Sequence, residues 1–366
     1  MKQQALTMDR LSRYGLALAT AVLGGVAFKL LQLPIPWLLG PMIAVLIGSN
    51  VFKGRYEWPG PLRNGGMIAV GYTIGLAMTG AALQEMAVQL PSMLLLTGLL
   101  VLMCAGLAYL VSKLSGSDYK TALLGSIPGG LTQVIALADE TEGVNLTVVT
   151  VTQVIRLMII IVCVPLLVFS PLFGGTHDAA ASTAIAHAAV SWSGLLPNML
   201  LFVPVCIACA VAGNMIRFPT AYLLGPALGT AVLQAAGLHG PALPALIMGA
   251  AQLTIGAYVG LMLKPDRLQR KVRTIALAIV SGLLLLAGAW GLSVLLTRLH
   301  AVSVSTALLS LAPGGMDQMG IIAQEIHADL SIVAGYQLFR TFFIMFAVPF
   351  LLRAFFRFQD KRKGAP

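Results

Sequence analysis

The chain has 366 residues, 58% hydrophobic and 10% charged, with mean hydropathy +0.89. A soluble domain averages about 25% charged residues, so this composition excludes one. The net charge of +10 does not call for nucleic acid, because nearly all Lys and Arg sit in short loops and tails between apolar runs, where membrane topology places them.

Apolar runs of 18 or more residues read as membrane-spanning helices. In chain order the first half carries apolar segments over about 14–33, 36–52, 65–82, 92–112, 119–138 and 146–170. The second half carries them over about 192–215, 220–238, 242–263, 273–297, 304–324 and 331–353. The first run, from Tyr14, continues as a full span rather than ending as a cleavable signal. Cys104, Cys163, Cys206 and Cys209 all lie in apolar segments, which argues against disulfides. Cys206-x-x-Cys209 has no further Cys or His beside it and reads as small-residue helix packing. Gly71-x-x-x-Gly75 and Gly256-x-x-x-Gly260 read the same way.

The halves repeat. Pro128 and Pro313, Thr121 and Thr306, Gln133 and Gln318, and Glu140 and Glu325 are each 185 residues apart. "PIPWLLGP" (34–41) matches "PTAYLLGP" (219–226) at the same offset, and Gln153-x-x-Arg156 matches Gln337-x-x-Arg340 at 184. The expected organisation is repeat one over 1–172, a linker over 173–190 and repeat two over 191–360.

Loop charge tests the topology. If all twelve segments cross, 14 Lys and Arg fall on the side of the N-terminus and 6 on the other. If each Pro-Gly-Gly segment dips in and returns, five crossings remain per half and the halves are inverted. The count becomes 19 against one, with Lys29, Arg156 and Arg340 left in the membrane. The expected fold is therefore an all-α polytopic membrane protein with two inverted repeats, each of about five spanning helices plus one broken or re-entrant segment. Both termini are then cytoplasmic, in a bacterial inner membrane.

Proline removes a backbone donor and clashes with the preceding turn, and glycine admits φ > 0. Pro128-Gly129-Gly130 and Pro313-Gly314-Gly315 should therefore break their helices. Each flanking piece is about eight residues, roughly 12 Å, which reaches mid-bilayer. Paired interrupted segments in two inverted halves point to a transporter's binding site. Thr132 and Gln133 follow the first break, and Asp317 and Gln318 the second. Asp317 is an acid deep in an apolar segment, where a carboxylate is costly and reads as functional, or else as a first-turn helix cap. Arg156 and Arg340 lie deep in the last segment of their halves. Each could bind a substrate carboxylate, pair with Asp317 or Glu325, or cap the carbonyls freed at Pro-Gly-Gly. Gln153 and Gln337, one turn earlier, share that face.

The chain has no P-loop or dinucleotide fingerprint, and its five His (His177, His187, His239, His300 and His327) lack metal-ligand spacing. No cofactor or metal is expected.

In "WLLGP" (37–41) and "YLLGP" (222–226), "TIG" (73–75 and 254–256), Pro-Gly-Gly-x-x-Gln and the paired Gln-x-x-Arg, the chain resembles the membrane family catalogued as AbrB, or AbrB duplication proteins. That family carries the labels ammonia monooxygenase and regulator of gene expression. The resemblance implies a fold and little mechanism. A monooxygenase needs a copper or iron site, and no His/carboxylate cluster is present to hold one. No DNA-binding module is present, so a regulatory role would be indirect. The expectation is a non-enzymatic secondary transporter of a small solute, with an anion as one candidate. Its partners would be lipid, the solute, H+ or Na+, and optionally a second copy of itself.

Overall fold

In the computed structural model, the described residues are 2–128, 131–139, 141, 143–170, 192–216, 218, 220–262 and 271–363. Among them there is no strand, as an apolar surround dictates: without water, the backbone must satisfy itself within each segment. The helices are α1 (Lys2–Leu30), α2 (Pro36–Val51), α3 (Gly60–Ala77), α4 (Gly80–Ser115), α5 (Tyr119–Ser126), α6 (Leu131–Asp139) and α7 (Leu146–Val168). The second half gives α8 (Trp192–Met215), α9 (Ala221–Ala235), α10 (Ala245–Gly260), α11 (Lys271–Leu299), α12 (Val304–Leu311), α13 (Met316–Glu325) and α14 (Leu330–Lys363).

The protein is thus an all-α polytopic membrane protein. Among the described residues, five stretches are long and apolar enough to cross a bilayer: Arg10–Leu30, Gly80–Ser115, Leu146–Val168, Val272–Leu299 and Leu330–Leu351. Helix α4 starts twelve residues before the expected 92, running through Gln84, Glu85 and Pro91. Hydropathy rejects Gln84 and Glu85, and Thr79 supports the helix start by accepting from the Ala82 amide at 3.3 Å. Helix α3 starts at Gly60 rather than 65, because Pro61 in the first turn has no amide to leave unpaired. The 173–190 linker and most of the 264–273 loop lie outside the described residues.

The chain forms two compact units, and each draws on both sequence halves. Unit one comprises Met1–Glu85, Ile160–Lys264 and Asp317–Ser331; unit two comprises Met86–Ile159, Pro265–Met316 and Ile332–Pro366.

Unit one is built by exchange between the halves. Helix α3 packs on α9, and α10 packs on α2. A Cβ on Gly71 would collide with the Leu223 carbonyl, and one on Gly256 with the Leu38 carbonyl. The same holds for Gly75 with Ala227 and for Gly260 with Met42. Every one of these positions maps onto its counterpart at 185 residues. Such reciprocity, residue i of one half on j of the other and the reverse, is the signature of a two-fold relation. Both small-residue motifs therefore serve close helix packing, as expected. So does Cys206-x-x-Cys209: Gly225 abuts the Cys209 backbone, and both thiols are free. The chain enters α2 through Ile35 and α9 through Thr220, also 185 apart, with φ of 47° and 45°. Left-handed backbone is costly for β-branched residues, so the same strained turn is present in both halves.

Unit two has an apolar core around Leu100, Cys104 and Ala108 of α4, which meets α5, α6, α7, α11 and α14. A second cluster joins Met93 and Leu96 of α4 to Leu311 of α12 and Tyr336 of α14.

Candidate functional site

Helices α5 and α12 are equivalent, eight residues each, and both stop one residue before an X-Pro bond. Their starts are capped: Asp118 accepts from the Lys120 amide at 3.0 Å, and Ser303 from the Thr306 amide at 3.1 Å. Ile127 and Ala312, which precede the prolines, are extended, with ψ of 127° and 125°. Proline imposes that conformation on its predecessor. The Ile127 and Ala312 amides still reach Leu123 and Leu308, at 3.1 and 2.7 Å, and the last three carbonyls of each short helix are left without a helical donor.

The Gln-x-x-Arg pairs of α7 and α14 supply the donors. Gln153 Nε2 donates to the carbonyls of Leu124 and Ile127 at 2.7 and 2.9 Å. Arg156 Nη1 donates to Gly125, Ser126 and Ile127 at 3.3, 3.0 and 3.0 Å. In the other half, Gln337 Nε2 donates to Leu309, Ser310 and Ala312 at 2.7, 3.4 and 3.2 Å. Arg340 Nη1 donates to Leu311 and Ala312 at 3.4 and 2.7 Å, and its Nη2 to Gly314 at 2.9 Å. Each Arg also donates through Nη2 to the amide oxygen of its own Gln, one helical turn away. Of the three roles open from sequence, these bonds select the capping of freed carbonyls.

All four side chains are buried, Arg156 at 6% exposure and Arg340 at 4%. Each positive charge faces the negative end of a short helix, the favourable pole for a cation. Both like-charged guanidiniums are buried in unit two. Their acceptors are backbone carbonyls and the Gln side-chain amides.

Unit two therefore brings together Pro128, Gln153 and Arg156 at one break, and Pro313, Gly314, Gly315, Gln337 and Arg340 at the other. Gly129, Gly130 and the side chains of Thr132 and Gln133 lie outside the described residues. Asp317 and Gln318 belong to unit one, on the first turn of α13. There, Gly320 rests against Ile74 of α3. Among the described residues no group of three His, Cys, Asp or Glu is placed to hold a metal.

Sequence reasoning missed a further pair of features in unit two. Ser92 lies 3.0 Å from the Tyr336 hydroxyl and 2.8 Å from His300 Nε2, a hydrogen-bonded latch. The repeat-equivalent positions in the other half are Leu277, Thr152 and Ser115. They line a cavity of ≈ 20 Å³ that also meets the hydroxyl-bearing Ser117, Thr121 and Thr274. That is room for about one water. Thr152 abuts Gly125, whose carbonyl Arg156 holds. Substitutions compared across the repeat, Thr to Tyr at an offset of 184 and Ser to His at 185, carry the signal.

The sequence profile described as Transition state regulatory protein AbrB matches residues 37–356. An Escherichia coli (strain K12) protein named "Putative regulator AbrB" is 28% identical over 353 residues, 96% of this chain and 99% of that one. A Bacillus subtilis (strain 168) protein named "Uncharacterized protein YhjN" is 24% identical over 365 residues, 94% of each chain. No solved structure matches.

Proposed function

The chain belongs to the AbrB family, and from that premise we propose that it is a secondary transporter of a small anionic solute in the bacterial inner membrane. The observation that carries this reading is the pair of helix breaks in one unit, each held open by a buried Gln-x-x-Arg. In lipid, an interrupted backbone persists only where protein or a water-filled cavity covers it. Two such interruptions at equivalent places of a duplicated chain are the usual seat of a transporter's site. A mere kink would not need a buried guanidinium fixed on its carbonyls.

The anionic preference follows from charge. Two guanidiniums are buried in unit two, balanced by helix ends that carry only about half a charge each. A solute that brings negative charge relieves that imbalance. In the proposed topology each half crosses five times, the halves are inverted, both termini are cytoplasmic, and Asp317 carries the coupling ion. The latch at Ser92, Tyr336 and His300 and the cavity beside Thr152 are then the two ends of an access route, the first closed by hydrogen bonds and the second with room for about one water. The regulatory name of the Escherichia coli relative supports a second reading, in which any effect on gene expression is indirect and follows from the solute moved. The test is a thermal-stability screen of purified protein against small organic anions, cations and amino acids. At a fixed Na+ concentration, stabilisation by organic anions and not by organic cations supports the proposal, whereas stabilisation by organic cations alone contradicts it.

A further inference from the structure

Asp317 and Gln318 are consecutive residues in the first turn of α13, buried to 9% and 3% exposure. Gln318 Nε2 donates to Asp317 Oδ2 at 2.8 Å. That bond fixes which way the amide points, since the reverse setting would press oxygen against carboxylate oxygen. The other end of the amide, Oε1, is buried and has no hydrogen-bond partner. Amide bond lengths place it about 2.3 Å from Nε2, hence within roughly 5 Å of Asp317 Oδ2. One donor on Oδ2 leaves the carboxylate with acceptor positions still open.

A buried acceptor without a donor is rare and calls for a positive partner. Two hard oxygens, one carboxylate and one neutral amide, lie within reach of a single ion. A proton needs a single base and leaves the amide oxygen unpaired. Calcium takes six to eight oxygens, commonly with several carboxylates, and this turn offers one carboxylate. Arg63 stacks over Tyr258 at 4.4 Å and gives the amide oxygen no hydrogen bond. We propose that Asp317 and Gln318 supply oxygens to a site for a hard monovalent cation, Na+. The equivalent pair in the first half is Thr132–Gln133, with no carboxylate, so there is one such site per chain. Its role as the coupling ion rests on the transporter reading; the binding does not.

The experiment uses the purified full-length protein with no solute present. Thermal unfolding is followed while NaCl replaces choline chloride at constant ionic strength, and Na+ binding is measured by calorimetry. The expected result is a saturable rise in Tm with Na+, absent with choline, at one ion per chain. Gln318→Met and Asp317→Asn should each weaken the Na+ response at least tenfold, and Gln318→Asn, which keeps the amide, less. A wild-type protein indifferent to Na+ overturns the site whether or not the variants fold, and so does a full Na+ response in folded Gln318→Met. Proton-driven transport without Na+ binding would sink this inference and leave the transporter reading standing. Na+ binding without transport of any solute would do the reverse.

Discussion

Arg156 Nη1 lies 3.0 Å from the carbonyl oxygen of Ile127, the residue directly before Pro128. Its counterpart Arg340 Nη1 lies 2.7 Å from that of Ala312, directly before Pro313. Proline ends the helix and strands its carbonyls, and a cation from the following long helix collects them. Break and cap form one device, written twice at a near-constant offset. Arg is suited to it: a planar guanidinium reaches several carbonyls at once, where Lys offers a point charge.

Removing that device should unfold unit two rather than merely silence it. Arg156→Leu and Arg340→Leu each strand several buried carbonyls, at about 1–3 kcal/mol for each one left unpaired. We expect a Tm lowered by many degrees, or poor yield from the membrane. Lysine at either position should be intermediate. Gln153→Leu should cost less, on the order of 2 kcal/mol, because Arg156 still holds Ile127. Thermal unfolding in detergent checks the order Leu, Lys, wild type for each arginine.

The reciprocal helix contacts of unit one predict a matched pair of effects. Gly71→Ala and Gly256→Ala each place a methyl group into a facing carbonyl. Helix propensity gains about 1 kcal/mol from such a change, and overpacking of a fixed contact loses about 1–3. Both variants should be less stable than wild type. Gly15→Ala, with nothing within 4 Å of the new methyl, should be neutral or slightly stabilised. Equal stability of Gly71→Ala and Gly15→Ala would remove the close packing.

The latch can be tested by copying one half into the other. Tyr336→Thr reproduces Thr152, and it removes the hydroxyl that lies 3.0 Å from Ser92. A cysteine at position 92, in a background lacking the four native cysteines, should react slowly with a water-soluble maleimide. Adding Tyr336→Thr should raise that rate at least several-fold. An unchanged rate would mean that Tyr336 closes nothing.

Much of this was legible because the repeat aligns unlike environments. The breaks, the half-helix lengths and the shared face of Gln153 and Arg156 follow from Pro-Gly-Gly and a spacing of three. The acceptors of Arg156 did not follow, because several chemically sound partners were open and spacing alone does not rank contacts between helices. The early start of α4 was hidden by Gln84, Glu85 and Pro91, which a hydropathy window rejects although a polar helix turn outside lipid tolerates them. The exchange of α3 and α10 between the halves was invisible for a different reason. Gly71 shows that some backbone comes close, but not that it belongs to Leu223.

Loop charge makes a separate prediction about orientation. Single cysteines replacing Ala180 and Gln269 should label from opposite sides of intact cells, Ala180 from the periplasm. Their labelling from one side would contradict the count of 19 basic residues against one on which the inverted arrangement rests.

Uptake by proteoliposomes tests the central claim most directly. Purified protein is reconstituted, loaded with the small organic anion that gives the largest thermal stabilisation, and given an inward Na+ or H+ gradient. The account predicts accumulation against the anion gradient by wild type. Asp317→Asn keeps the size of the side chain and removes its charge, so it should exchange internal for external anion without accumulating it. No anion movement above that of protein-free liposomes, by well-folded wild-type protein under either gradient, would contradict the account.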